Sequence, residues 1–230
     1  MKTFNTFGII LSRTNYGEAD RILTMLTPDH GKLRLVARGV RKVKSKLAGG
    51  IELFSVSQIS FIKGRGELGT LVSTRLAKHY DGIVKDLSRT MAAYDLIKQL
   101  NKATEDEPGS EYFELLQHTF AALDDKNISL DLIGAWFAMQ LLSLAGHTPN
   151  LTTDTAGNKL QEDEKYSFDA DAMTFVVSPS GRYGSSQIKL LRLGFSSRQP
   201  KALQKITDID GLVGDLTPLV QTMLKTYIRI

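Results

Sequence analysis

Residues 4–77 alternate apolar and polar side chains in short runs separated by turn residues, and no other feature of the chain restricts its fold as strongly. Residues 4–14 read as a strand, with Phe7, Ile9 and Leu11 alternating against Thr6, Gly8 and Ile10. Tyr16-Gly17-Glu18-Ala19-Asp20 is a turn, and residues 21–27 form a second strand. Pro28-Asp29-His30-Gly31 is a strong turn signal, because proline presets one backbone angle and glycine accepts the left-handed one. Leu33 and Leu35 alternate with Lys32 and Arg34 in a third strand. Residues 52–62 supply a fourth, with Phe54, Val56 and Ile62 on one parity and Leu53, Ile59 and Phe61 on the other. Lys63-Gly64-Arg65-Gly66-Glu67 turns the chain into a fifth strand at 68–77. Five short strands with glycine turns predict a small barrel, since closure removes unpaired sheet edges.

A five-stranded barrel of the OB type takes ligands across its second and third strands, between the first and last hairpin loops. The cations of this segment fall there. Arg13 and Arg21 flank the first turn, Lys32 and Arg34 lie on the third strand, and Lys63 and Arg65 sit in the last hairpin loop. Between strands three and four, Arg38-Gly39-Val40-Arg41-Lys42-Val43-Lys44-Ser45-Lys46 carries five positive charges in nine residues and no acid. Like charges this close repel, so an anionic partner relieves them, and phosphate that sheds its counterions is the usual one. Residues 1–80 hold 14 Lys/Arg against 5 Asp/Glu and residues 81–230 hold 15 against 20, beneath an overall charge of +4. Two regions with different partners are expected, the basic one for a polyanion. A solvated, lysine-rich surface is the alternative. Tyr16, Phe54 and Phe61 are candidate platforms for base stacking, although Phe54 and Phe61 fit a core better.

The chain has no cysteine, which excludes disulfides, thiol catalysis and a thiolate zinc site. Its apolar runs fall short of the roughly 18 residues of a membrane span. Met1-Lys2-Thr3-Phe4 leads into alternation rather than a long apolar run, so no signal peptide is expected.

The basic segment and its surroundings resemble the bacterial recombination mediator family RecO. The matching residues are Tyr16-Gly17-Glu18-Ala19-Asp20-Arg21-Ile22-Leu23, Thr27-Pro28-Asp29-His30-Gly31, and Val36-Ala37-Arg38-Gly39-Val40-Arg41-Lys42 with Ser45. Leu53-Phe54 and Gly64-Arg65-Gly66-Glu67-Leu68 continue the match, whose order and spacing hold through about residue 100. The resemblance implies an α+β chain. Residues 1–80 would form an N-terminal five-stranded OB barrel that binds nucleic acid, and residues 81–230 a mainly helical domain. It further implies binding of single- and double-stranded DNA, strand annealing, and help in loading recombinase onto DNA covered by single-strand-binding protein. RecR, the acidic C-terminal tail of single-strand-binding protein and, indirectly, RecA would be its partners, in a cytoplasmic, nucleoid-associated setting. Arg34, Arg38, Arg41, Lys42, Lys44, Lys46, Lys63 and Arg65 are the DNA-binding candidates. No cofactor, metal or membrane is called for.

Ile83, Leu87, Met91, Tyr94 and Ile97 recur at helical spacing and predict a helix over 83–102, followed by an acidic loop at 105–109. Ser110 is placed to cap a second helix whose stripe is Phe113, Leu116, Phe120 and Leu123, and Ser129 to cap a third. Residues 130–145 are apolar on nearly all sides, which suits a central helix, and Gly146 suits its exit. Ile188, Leu191 and Phe195 mark a face over 186–196. Leu212, Leu216, Leu219, Met223 and Tyr227 mark another, with Thr217-Pro218 as a point where a helix could restart. Residues 147–185 are polar, with a small hairpin expected from Tyr166-Ser167-Phe168 and Thr174-Phe175-Val176-Val177. In many RecO-like proteins this insertion carries a four-cysteine zinc site. Here the first pair falls near Thr153 and Ala156, so the insertion is zinc-finger-like without its ligands. Asp154, Asp169 and Asp171 read as solvated loop rather than a cation site.

No catalytic constellation stands out. His30, His79, His118 and His147 make no close pair, and there is no phosphate-binding loop of an ATP motor. Asp124-Asp125 and Glu162-Asp163-Glu164 read as solvated acids rather than as a nuclease centre, which would need carboxylates aimed at a metal. Lys189, Arg192, Arg198, Lys201 and Lys205 form a second basic cluster, read as a helix face or as a contact for DNA or an acidic peptide. The expectation is a DNA-binding mediator without catalysis. The competing one is an OB-fold adaptor whose basic loop binds an acidic protein.

Overall fold

The computed structural model describes residues 2–64, 66–104 and 108–228, so Arg65 and the acidic stretch 105–107 lie outside the described residues. Five strands follow in chain order: β1 (Thr3–Tyr16), β2 (Asp20–Thr27), β3 (Gly31–Ala37), β4 (Ser55–Ile62) and β5 (Leu68–His79). They close into a barrel in the order β1-β2-β3-β5-β4, with β4 returning to β1. Neighbours are antiparallel except β3 and β5, which pair in parallel from Arg34 to Val36. Ile10, Leu23, Met25, Leu35, Phe61 and Leu71 fill the interior. The alternation predicts a small five-stranded barrel, and its OB arrangement is the one the resemblance implies.

Two strands depart from simple alternation. In β1 the register shifts between Ile10 and Ser12, so Ile9, Ile10 and Leu11 are all buried while Phe7 is exposed. A bulge of this kind bends the strand and moves side chains between faces. β4 begins at Ser55 rather than at 52 because Phe54 adopts a left-handed φ of 55°. The kink sets the Phe54 ring against Tyr94 and Phe120 instead of inside the barrel.

Three helices, α1 (Asp81–Val84), α2 (Leu87–Ala103) and α3 (Ser110–Asp124), share a compact unit with the barrel, Met1–Asp125. The single helix predicted over 83–102 is broken, since Asp86 caps α2 by accepting the Arg89 N–H at 3.1 Å. The apolar spacing does not mark the buried face. Leu87 and Met91 are 76% and 59% exposed, and the buried face is Arg89, Ala93, Leu96, Ile97 and Leu100. Arg89 donates to the Leu123 carbonyl at 2.9 Å, a cation at the negative end of α3, and so holds that face inward. Ser110 is the first residue of α3, with Gly109 as its cap. Asp124 is not a solvated acid, because its carboxylate accepts the Gly82 N–H at 2.6 Å.

Tyr80 is fully buried, edge-on to Phe120. Burial, reinforced by Asp124, pushes its hydroxyl up to about 12. Folded Tyr80 therefore keeps its proton at pH values where the unfolded residue, near pKa ~10, loses it. Its contribution to stability is fully present below about pH 10 and falls as pH rises towards about 12. Urea unfolding of the chain and of Tyr80→Phe between about pH 9 and 11 checks this. The tyrosine form is expected to lose stability more steeply, and equal slopes would refute the assignment.

The second unit, Lys126–Ile230, is built on α4 (Leu130–Leu144), whose Ser129 cap accepts the Leu132 N–H at 3.3 Å. Gly146 leaves the helix with φ +82°, which glycine adopts without strain. Trp136, Phe137, Leu141 and Leu142 are fully buried, as expected of a central helix, and the Trp136 indole donates to the Ser197 carbonyl at 2.8 Å. Around it pack α5 (Ser185–Ser196), through Ile188, Leu191 and Phe195, and α6 (Ile209–Met223), through Val213, Leu216 and Val220. Thr217-Pro218 does not restart a helix, because α6 runs through Pro218. The proline ring crowds the carbonyl four residues back. That residue is Gly214, whose open surroundings leave room for the adjustment.

The insertion folds as the predicted hairpin, β6 (Tyr166–Asp169) and β7 (Thr174–Val177). Its residues do not fit zinc. Thr153 and Ala156 carry no sulfur or imidazole, and the nearby carboxylate is already occupied. Asp154 is buried and accepts the backbone N–H groups of Ala156 and Asn158 at 2.9 and 2.8 Å, so it is neither a solvated loop nor an open cation ligand. Phe175, fully buried, packs edge-on against Tyr166, Phe168 and Tyr183. Among the described residues no group of three or more His, Cys, Asp or Glu could hold a metal.

Candidate nucleic-acid interface

The basic segment 38–46 leaves the end of β3 and lies against the β1–β2 turn. It is held by its backbone, which frees its side chains. Gly39, at φ +62°, donates its N–H to the Asp20 carboxylate at 2.7 Å. The Arg41 N–H reaches the Ala19 carbonyl at 2.9 Å, and Val40 is buried in the barrel core. Farther on, Lys42 N–H bonds to Gly39, Ser45 N–H to Lys42, and Thr74 Oγ1 to the Leu47 carbonyl. Between these anchors Arg38, Arg41, Lys42, Lys44 and Lys46 are exposed, and none of the five pairs with a carboxylate among the described residues. The Arg41 guanidinium donates to the Gly17 carbonyl at 3.3 Å, in the turn that follows Tyr16, itself 54% exposed. A groove that holds a single strand combines cations for its phosphates with aromatic side chains for its bases. Phe54 and Phe61 are buried and belong to the core.

Arg34 and Lys63 stand elsewhere. Arg34 lies midway along β3, opposite Thr24 on one side and Leu68 on the other. Its guanidinium is 3.5 Å from Glu67. Lys63 sits over the Phe4 ring at 5.4 Å. Together they wall a groove of about 360 Å³ whose floor includes Leu33 and Phe61. Lys32 also borders it, but its ammonium donates to the carbonyls of Asn101 and Thr104 at 2.8 and 2.7 Å, at the end of α2. The predicted cations thus divide into an open basic segment and a mixed-charge groove, and Arg65 lies outside the described residues.

Sequence reasoning missed Asp20, Gly39 and Glu67. Asp20 closes the first turn and Gly39 lies within the cationic run, and neither position alone shows that the two are bonded. The available signal was a glycine inside a cationic run, which implies a backbone angle other residues avoid. Glu67 was visible as the one acid in a basic turn. Of the second basic cluster, Lys189 pairs with Glu162 at 2.7 Å and Arg192 donates to the Leu151 carbonyl at 2.8 Å, so both serve the second unit's own structure. The Lys189 ammonium also holds the Glu162 carboxyl below the usual carboxylate range. Among the described residues no helix is long and apolar enough to cross a membrane.

Comparison with known proteins gives the same direction. The family model for the N-terminal part of recombination protein O matches residues 1–80, and that for its C-terminal part matches residues 84–193. The DNA repair protein RecO of Dehalococcoides mccartyi is 35% identical over 149 residues, covering 64% of this chain and 58% of its own length. That of Bifidobacterium longum subsp. infantis is 34% identical over 155 residues, 66% of this chain and 65% of its own. That of Gloeobacter violaceus is 30% identical over 223 residues, 94% of this chain and 80% of its own. The chain therefore spans less than two thirds of the first two relatives.

Proposed function

The chain belongs to the RecO family of DNA repair proteins, and from that premise we propose that it binds single- and double-stranded DNA and anneals complementary strands. The observation that carries the reading is the pinned segment 38–46, with five exposed cations and no carboxylate partner among the described residues. Phosphate contacts of this kind position a strand without reading its sequence. Two strands neutralised on one protein repel each other less, so pairing proceeds without ATP.

The barrel, residues 1–80, would be the DNA domain, and residues 81–230 would carry protein contacts. RecR, the acidic tail of single-strand-binding protein and indirectly RecA are the proposed partners, in the cytoplasm at the nucleoid. The protein is proposed to act by binding, with no reaction of its own.

The test is binding of a labelled oligonucleotide, single-stranded and then duplex, across a salt series, followed by annealing of complementary strands. Log affinity is expected to fall linearly with log salt, at about 0.7 per phosphate engaged on a single strand and about 0.9 on a duplex. Binding indifferent to salt, or absent, refutes the reading. The adaptor reading would then take its place. It draws on Val43, a fully exposed apolar residue at the crest of the basic segment, suited to a protein partner.

A further inference from the structure

We propose that the groove between Arg34 and Glu67 is a pocket for one unstacked guanine base of a bound single strand. The proposal rests on the DNA-binding reading and adds to it a base preference at one position. The cavity, about 360 Å³, is at the small end of ligand pockets and holds a single base rather than a longer segment. Leu33 gives it an apolar patch, backed by the buried Leu35 and Phe61, while Thr24, His30 and Asn101 line it with polar groups that suit a base edge. Gly64, Gly66 and Gly69 are among the lining residues and bring backbone to it. A side chain at Gly64 would strike the Leu68 carbonyl, and one at Gly69 would come within 2.8 Å of the Ile62 carbonyl.

The charge pattern chooses between a base and a phosphate. A phosphate pocket gathers cations alone. Here a carboxylate stands 3.5 Å from the guanidinium, where it would repel a phosphate and accept N–H groups. Guanine alone among the four bases offers two adjacent acceptors, O6 and N7, to a guanidinium fork and two adjacent donors, N1–H and its amine, to two carboxylate oxygens. Arginine to O6 and N7 is the commonest specific contact to a base, and unstacked bases expose all their edges. The Arg34 and Glu67 side chains are 55% and 85% exposed, and an ion pair so open to water costs little to separate. Lys63, over the Phe4 ring, stands ready for the neighbouring phosphate. Arg34 precedes Arg38 by four residues, roughly 13 Å of strand, so one oligonucleotide can span both places.

The experiment compares three labelled 15-nucleotide probes: oligo-dT, oligo-dT with one central dG, and oligo-dT with one central dA. The dG probe is expected to bind about tenfold more tightly than either other probe. Glu67→Gln removes a negative charge from the DNA-facing surface, so it is expected to bind oligo-dT somewhat more tightly while its dG preference falls to about one. A purely electrostatic role for Glu67 would tighten all three probes alike and keep the ratio. The proposal is overturned if the native protein shows no dG preference, or if the preference survives Glu67→Gln or equals that for dA. Salt-sensitive oligo-dT binding without a dG preference sinks this pocket alone. Loss of oligo-dT binding itself sinks the DNA reading and the pocket with it.

Discussion

Replacing Arg41, Lys42 and Lys44 together with alanine is expected to weaken single-stranded DNA binding about a hundredfold near 0.1 M salt and to lower the log–log salt slope by about two. The size follows from three lost phosphate contacts, each of which releases about 0.7 counterions from a single strand. The fold should not notice. All three side chains are exposed, and the segment is held through Val40, the Gly39 and Arg41 N–H groups and Asp20, none of which an alanine at these positions removes. Only the Arg41 bond to the Gly17 carbonyl is lost, and exposed changes of this sort usually stay within about 0.5 kcal/mol. A thermal melt separates the two effects. An unchanged slope with an unchanged melt would show that DNA, if bound, lies elsewhere.

Phe175→Ala is expected to cost about 3–5 kcal/mol, the range for truncating a buried aromatic residue. Phe175 is the common neighbour of Tyr166, Phe168 and Tyr183, and the segment 153–155 hangs from it: Asp154 bridges to it and the Thr155 N–H bonds to its carbonyl at 2.9 Å. Removing the ring leaves a void among Tyr166, Phe168 and Tyr183. Urea unfolding followed by far-UV dichroism measures the loss. A parallel arm adds EDTA to the native chain, and the midpoint is expected not to move. A loss under about 1 kcal/mol for Phe175→Ala would show that the ring is not the centre of the module. A midpoint lowered by chelator would show that metal supports it after all.

The barrel was legible because each strand announces itself locally, by alternation between turn residues. Its closure was not, since β1 meets β4 and β3 meets β5 across long stretches of chain. The helix over 83–102 was legible as helix but its buried face was not. Leu87, Met91 and Tyr94 have the spacing of a core stripe, and only the contact from Arg89 to Leu123, 34 residues away, decides that another face turns inward. The candidate interface divides the same way. The cations of 38–46 are visible as charge, whereas the bond from Gly39 to Asp20 spans 19 residues and cannot be seen in a local pattern. The hairpin of the insertion is legible from its two short runs, whereas the place of Asp154 is not, because an acid in a polar loop looks the same whether water or backbone N–H groups surround it.

Lys32 and Arg34 sit on the same strand, two residues apart, yet only one presents its charge outward. The Lys32 ammonium is taken up by two carbonyls at the end of α2. That contact works as a latch: one cation ties the end of α2 to the barrel wall, so α2 cannot draw back without leaving a charge it now occupies, whereas Arg34 already has the Glu67 carboxylate beside it.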